Sequence, residues 1–292
     1  MHILSTTRNQ VGESPLWSVA EQALYWVDIE ARRLHRFDWI SRVEQTWDLA
    51  ERLACIALHA DGGLIAGMES GIFHLRPGAN GVCAQERIHG VQFVRQGMRF
   101  NDGRCDRAGR FWVTSMVMDM RLKADDGALY SMSPTGFSAP LVSNLVTGNG
   151  LAFSPDGRTM YFSDSHPSVQ KIWAMDLDSN GVPSNRRLFV DMLSYPGRPD
   201  GAAVDAEGAY WICGNDAGQI HRFMPDGRLD KTIKVPVSKP SMCSFGGPEL
   251  AHLFITSITP AQPAEGVDAA LDGAVFVMQP GVRGLPETPF HP

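Results

Sequence analysis

Apolar and polar residues alternate in short runs along the whole chain, and the runs stop at Gly, Asp, Asn or Pro. That spacing predicts short β-strands joined by tight turns. Six segments share one layout of strand, polar turn and strand: Pro15–Asp28, Ala57–Ser70, Arg104–Met116, Leu151–Ser165, Ala203–Asp216 and Phe245–Ile258. Each is followed by a further alternating run: Arg32–Asp38, Ser70–Gly78, Gly127–Pro134, Gln170–Asp178, Gly218–Gly227 and Gly273–Gly281. The turn residues Glu21, Gly62, Gly109, Gly157, Gly208 and Glu249 are 41 to 51 positions apart. No segment reads as a long amphipathic helix.

Six units of about 45 residues, each with at least three antiparallel strands, predict an all-β six-bladed β-propeller. A sandwich or barrel needs no sixfold repetition. The expected organisation is a single propeller domain over residues 1–292, and the leading Met1–Thr7 is expected to supply a strand closing the last blade.

The repeats also align a set of polar side chains. Asp200, Asn149 and Asn101 each precede the turn glycine of their unit by eight positions, and Glu13 precedes Glu21 by eight. The same position holds Ala54 in the second unit and Ser241 in the sixth. Blades are rotated copies, so equivalent positions form a ring around the central channel. Two carboxylates and two amide oxygens at one end of it call for a positive charge between them. All-oxygen donors suit a hard divalent ion, and three or four protein ligands leave room for water and substrate. Taken singly, such residues are ordinary turn formers; the common register is what singles them out.

Arg99 lies two residues before Asn101 and shares its face in a regular strand; it reads either as a ligand-binding cation or as half of a salt bridge between blades. Arg198 has the same offset before Asp200 and the same two readings. Asp119 sits in a loop that could overhang the channel. His35, His74 and His221 fall on third strands, where a solvated or half-buried structural role is expected. No GxSxG is present to support a serine hydrolase. The Asp176–Gly181 run imitates the start of an EF-hand, but Arg187 stands where the closing Glu belongs, so a hairpin loop is expected.

Charge and composition narrow the partners. The net charge of −6 and the lack of Lys/Arg runs argue against nucleic acid or an anionic membrane surface. No stretch approaches the roughly 18 apolar residues of a membrane span. The first residues lack the apolar core of a signal peptide. The five cysteines, Cys55, Cys83, Cys105, Cys213 and Cys243, are scattered without CxxC spacing. Together these features predict a cytoplasmic protein with reduced thiols. A closed propeller hides its sheet edges, so a monomer or weak oligomer is expected.

The segments Gly12–Trp17 (GESPLW), Arg99–Trp112 (RFNDGRCDRAGRFW), Gly148–Asp164 (GNGLAFSPDGRTMYFSD), Arg198–Trp211 (RPDGAAVDAEGAYW) and Phe245–Leu250 (FGGPEL) resemble the gluconolactonase/regucalcin family, also called the senescence marker protein family. The resemblance runs from residue 12 to about residue 280 and is carried by the ordered combination of motifs rather than by any one of them. It implies a six-bladed propeller with one divalent metal ion in the channel, of calcium, zinc, magnesium, manganese or iron, held by Glu13, Asn149 and Asp200. It implies that Asn101 lies beside metal and substrate, and that Arg99 and Asp119 bind substrate; many members carry Glu where this chain has Asp119. The activity implied is metal-dependent hydrolysis of a sugar lactone, an aldono-1,4- or 1,5-lactone, to the aldonic acid. Asp200 is then the expected general base, since no His shares its register. A hydrolase of organophosphates or aryl esters on the same propeller and a non-catalytic calcium-binding propeller are the alternatives.

Overall fold

A computed structural model describes residues 1–292 as six antiparallel sheets arranged as a β-propeller. Blade 1 comprises Gly12–Ser18, Ala23–Asp28, Arg33–Asp38 and Glu44–Asp48; blade 2 comprises Leu53–Leu58, Leu64–Met68, Gly71–Pro77 and Cys83–Gly90. Blade 3 has Met98–Cys105, Phe111–Val117 and Gly127–Ser133, with its outer edge split into Gly136–Phe137 and Val142–Leu145. Blade 4 has Gly148–Phe153, Thr159–Asp164, Lys171–Leu177 and Pro183–Asp191; blade 5 has Arg198–Val204, Tyr210–Asn215, Gln219–Phe223 and Leu229–Lys234. Blade 6 combines Pro240–Gly246, His252–Ser257 and Phe276–Met278 with the N-terminal His2–Ile3, which pairs His2 with Val277 and Ile3 with Phe276. The closing strand expected from Met1–Thr7 is therefore present. Each blade carries four or five strands rather than the minimum of three, because the polar outermost strands alternate too weakly to stand out in sequence. The only helices are single 3₁₀ turns, and none is long and apolar enough to cross a membrane.

The six interfaces between neighbouring blades each hold a hydrophobic core. Between blades 1 and 2, for instance, Leu16, Tyr25, Val27 and Trp47 pack against Ile56, Leu64, Ala66 and Met68. Apolar side chains on both faces of the two inner strands therefore serve two cores at once, which explains why those strands read as nearly continuous apolar runs.

The inner strand of every blade breaks register near its start. The shifts fall between Glu13 and Leu16, Leu53 and Cys55, Phe100 and Gly103, Asn149 and Ala152, Pro199 and Ala202, and Pro240 and Cys243. A β-bulge re-aims the side chain beside it. At Gly150 the bulge takes a φ of +66°, and a Cβ there would stand 2.6 Å from the Tyr210 hydroxyl. That hydroxyl donates 2.7 Å to Gly150 O, so blade 5 locks the bulge of blade 4.

The histidines on third strands are more buried than expected: His35, His74 and His221 are all in the interior. Each ring is hydrogen-bonded, His35 Nδ1 to Thr46, His74 Nε2 to Gly62 O and His221 Nε2 to Pro196 O. The Asp176–Gly181 run forms the turn between Lys171–Leu177 and Pro183–Asp191, as a hairpin.

Candidate functional site

The bulges bring the aligned polar residues to one end of the channel. Glu13, Asn101, Asp102 and Asn149 line a narrow cleft, walled on the remaining side by Ser14, Ile29 and Ala54. Asp200 is not in that wall, but its carboxylate acts electrostatically on Glu13. A wide surface groove between blades 3 and 4, which includes Arg107, Arg110, Arg158 and Asp176, contains none of these residues.

Second residues orient three of the oxygen donors and leave an oxygen of each unengaged. Asn149 Nδ2 donates to Ser165 Oγ at 2.9 Å, which turns its Oδ1 away from that contact. Asn215 Nδ2 donates to Asp200 Oδ2 at 2.6 Å, and Oδ1 has no protein donor. Glu13 accepts only from Ser14 N, at 3.3 Å. Asn101 differs: its Oδ1 accepts from Arg99 Nη1 at 2.7 Å and its Nδ2 donates to Gly148 O at 2.9 Å. Its oxygen is thus already engaged, so the ring of four equal donors read from the register resolves into three open donors and one held beside them.

Arg99 makes no ion pair. Its Nη1 bonds to Phe100 O and Asn101 Oδ1, and burial lowers its pKa. Arg198 behaves otherwise: it pairs with Asp216 at 2.5 Å and donates to Ser165 O at 3.1 Å. The salt bridge is made within blade 5 rather than between blades, and Arg198 reaches blade 4 only through Ser165 O. Asp119 caps the 3₁₀ turn Met120–Leu122 and is paired with Arg121 at 2.8 Å on an exposed loop. It does not join the cleft wall. The loop rests on blade 4 through His166 Nε2 and Met120 O, 3.1 Å apart.

Asp102 has no place in the register reading and belongs in the site. It is buried; Oδ2 accepts from Leu151 N at 2.8 Å and Oδ1 has no partner. The signal was its adjacency to Asn101, but a regular strand would have turned it to the opposite face; the bulge between Phe100 and Gly103 is what brings it in.

The electrostatics follow from crowding. Burial, then Asp200 and Asp102, push Glu13 well above the usual carboxylate range. Burial raises Asp200 to about 7, against the opposing pull of Arg198 and the Asn215 hydrogen bond. Burial also raises Asp102. Buried acids of one sign with open oxygens are stabilised by a cation, and an all-oxygen set favours a hard divalent one. No three His, Cys, Asp or Glu side chains are grouped to hold an ion by themselves; an ion here would need a further oxygen donor, and the Asn149 amide offers one. The residues present fit such an ion.

Comparison with known proteins finds relatives along nearly the whole chain. The SMP-30/gluconolactonase/LRE-like region model matches residues 11–259. The chain is 38% identical to the 6-deoxy-6-sulfogluconolactonase of Pseudomonas putida, over 96% of this chain and 94% of that one. It is 30% identical to a pentonolactonase of Haloferax volcanii, over 96% and 94%. In structure it is similar to a calcium-binding protein, regucalcin, from Agrobacterium tumefaciens, with a TM-score of 0.88, 25% identity and coverage of 99% of this chain and 97% of that one.

Proposed function

Because the chain belongs to the SMP-30/gluconolactonase/LRE-like family, we propose that it is a lactonase that opens a sugar lactone to the free aldonic acid, with a divalent cation held by Glu13, Asn149 and Asp200. The observation that carries this reading is the set of oxygens left open on those three residues, beside an Arg99 with no counter-ion. A protein that needed these groups only for its fold would have paired them. The lactonases among the relatives support the substrate class.

A bound divalent ion supplies electrophilic polarisation of the lactone carbonyl. The rest falls to side chains. Asp200, fixed by Asn215, is the base that takes a proton from the attacking water. The water oxygen forms the new bond to the carbonyl carbon. As the ring C–O bond breaks, the proton passes to the departing ring oxygen, which becomes a hydroxyl. Arg99 offers its remaining N–H groups to the sugar oxygens, and Asn101 is locked beside it by Gly148 O. Asp119 is paired with Arg121 on the loop against blade 4, and would have to leave that pair to accept a hydrogen bond from a sugar hydroxyl. Five free buried thiols suit a reducing compartment, and the cytoplasm is the proposed location.

The test is acid release at constant pH from a panel of 1,4- and 1,5-aldonolactones, run beside an aryl ester and a phosphotriester. Turnover on lactones alone supports the reading. Preference for either ester moves the chemistry to the rival hydrolase. Ion binding without turnover on any substrate supports the second reading, a calcium-binding propeller, which the regucalcin likeness favours.

A further inference from the structure

The C-terminal residues 283–292 form no blade strand, yet they are tied to the end of the propeller opposite the site. Ala206 N donates to Arg283 O and Gly284 N to Leu250 O, both 2.9 Å. Further along, Phe290 N donates to Leu58 O, Ala60 N to Phe290 O and His291 N to Gly109 O, at 2.7 to 3.0 Å. The partners belong to inner-hairpin turns of blades 5, 6, 2 and 3, so this strap crosses the channel. Its attachment is close: a Cβ at Gly284 would stand 2.0 Å from Phe245 Cβ, and Phe290 is 1% exposed within the core between blades 2 and 3.

Midway along the strap, Glu287 faces a second narrow gap in the channel, of about 10 Å³, together with Ser14, Ile56, Arg104 and Met242. Glu287 Oε1 accepts from Arg104 Nη1 at 2.8 Å, and both side chains are nearly buried, 12% and 11% exposed. Arg104 Nη2 donates at 2.9 Å to Ala202 O in blade 5. Arg104 lies two residues from Asp102, and Ala202 two from Asp200. One guanidinium therefore spans from blade 3 to blade 5, past blade 4, and joins the strands that carry two of the site's acids.

We propose that Arg104 and Glu287 are positioning residues of the catalytic site, with the strap holding Arg104 in the bridge that sets the spacing of Asp102 and Asp200. The proposal rests on the lactonase reading for its kinetic readout and on ion binding for an independent one. Glu287 orients the guanidinium by a charge-assisted bond; without it, Arg104 is free to leave Ala202 O.

The experiment compares Glu287→Gln, Glu287→Ala, Arg104→Lys and Arg283→Ala with the wild type. Kinetics on the best lactone, calcium affinity by calorimetry and thermal unfolding are measured for each. Arg283→Ala removes only the exposed strap contact to Glu249 and keeps wild-type kcat. Outer partners of an ion site typically change affinity or activity by roughly 10- to 100-fold. Glu287→Ala is expected to lose kcat and calcium affinity in that range with KM within about twofold, and Glu287→Gln, which keeps an acceptor, to recover part of both. A drop in melting temperature with unchanged kcat and calcium affinity overturns the proposal, since the strap is then a fastener only. If the wild type opens no lactone, the lactonase reading fails and calcium affinity alone decides: weakening in Glu287→Ala supports positioning, and unchanged affinity overturns it.

Discussion

Asp200 and Asp205 lie five residues apart on one stretch of blade 5, both buried, and they live in opposite conditions. Asp205 accepts four hydrogen bonds, from Glu207 N, Ala209 N, Trp211 Nε1 and Arg222 Nε. Asp200 accepts one, from Asn215. Blade 3 repeats the contrast. Asp106 is saturated by Ala108 N, Arg110 N, Arg110 Nε and Trp112 Nε1, while Asp102 keeps an oxygen with no partner. At the turn end of the strands, carboxylates pin the hairpin and the tryptophan. At the bulge end, they are held in place but left short of donors. Burying an acid without partners costs free energy, and the proposed ion would relieve that shortage at this end of the channel.

Removing the carboxylate at each of the two positions should break the comparison cleanly. Asp200→Asn is expected to cut lactone turnover by about 10²- to 10⁴-fold, the usual worth of a general base, with the melting temperature kept or raised; kinetics and thermal unfolding of one preparation check both. Asp205→Ala should do the reverse. It orphans buried donors of Ala209, Trp211 and Arg222 and should destabilise the fold on the order of 3 kcal/mol or more, with near-normal kcat in the fraction that remains folded. Denaturant unfolding alongside turnover tests this, and a stable but inactive Asp205→Ala would reverse the assignment of roles.

The two arginines sharpen the same contrast with smaller effects. Arg99 has no counter-ion, so Arg99→Met should raise KM roughly 10- to 100-fold, the worth of a charged hydrogen bond to substrate. Proton linkage gives the next effect. In ion-free protein Asp200 titrates near 7 rather than 3.8, so the folded state holds a proton that the unfolded state has lost between those values. Its stability therefore falls as pH rises from about 4 to about 7. Thermal unfolding in chelator across that window should show the decline, and added divalent ion at neutral pH should remove it. The smallest effect belongs to Arg198→Met: its pair with Asp216 is partly exposed, so a loss within about 1 kcal/mol and an unchanged KM are expected. A large KM effect there would place Arg198 with Arg99 instead.

The sixfold repeat made the propeller and the ring of polar positions legible, because both follow from period and spacing alone. Four things were not. The bulges were invisible, since alternation assumes a regular strand, and that assumption hid Asp102. The distinct state of Asn101 was hidden because amide orientation depends on Arg99 and on Gly148 O in the next blade. The separation of Arg99 from Arg198 turned on strand register: Asp216 follows Asn215, the partner of Arg198, whereas Val117 follows Met116, the partner of Arg99. The strap was missed for a similar reason: residues 283–292 have no alternation, and their hydrogen bonds go to four different blades.

The central claim is that open oxygens on Glu13, Asn149 and Asp200 hold a divalent ion on which lactone opening depends. Its most direct test is a titration of chelator-stripped protein with calcium, magnesium, manganese and zinc, following lactone hydrolysis and bound ion together. Turnover at the spontaneous rate without ion, restored in step with one bound ion per chain and absent in Asp200→Asn, is the predicted result. Full turnover by the stripped protein, or ion binding unaffected by Asp200→Asn, would contradict it.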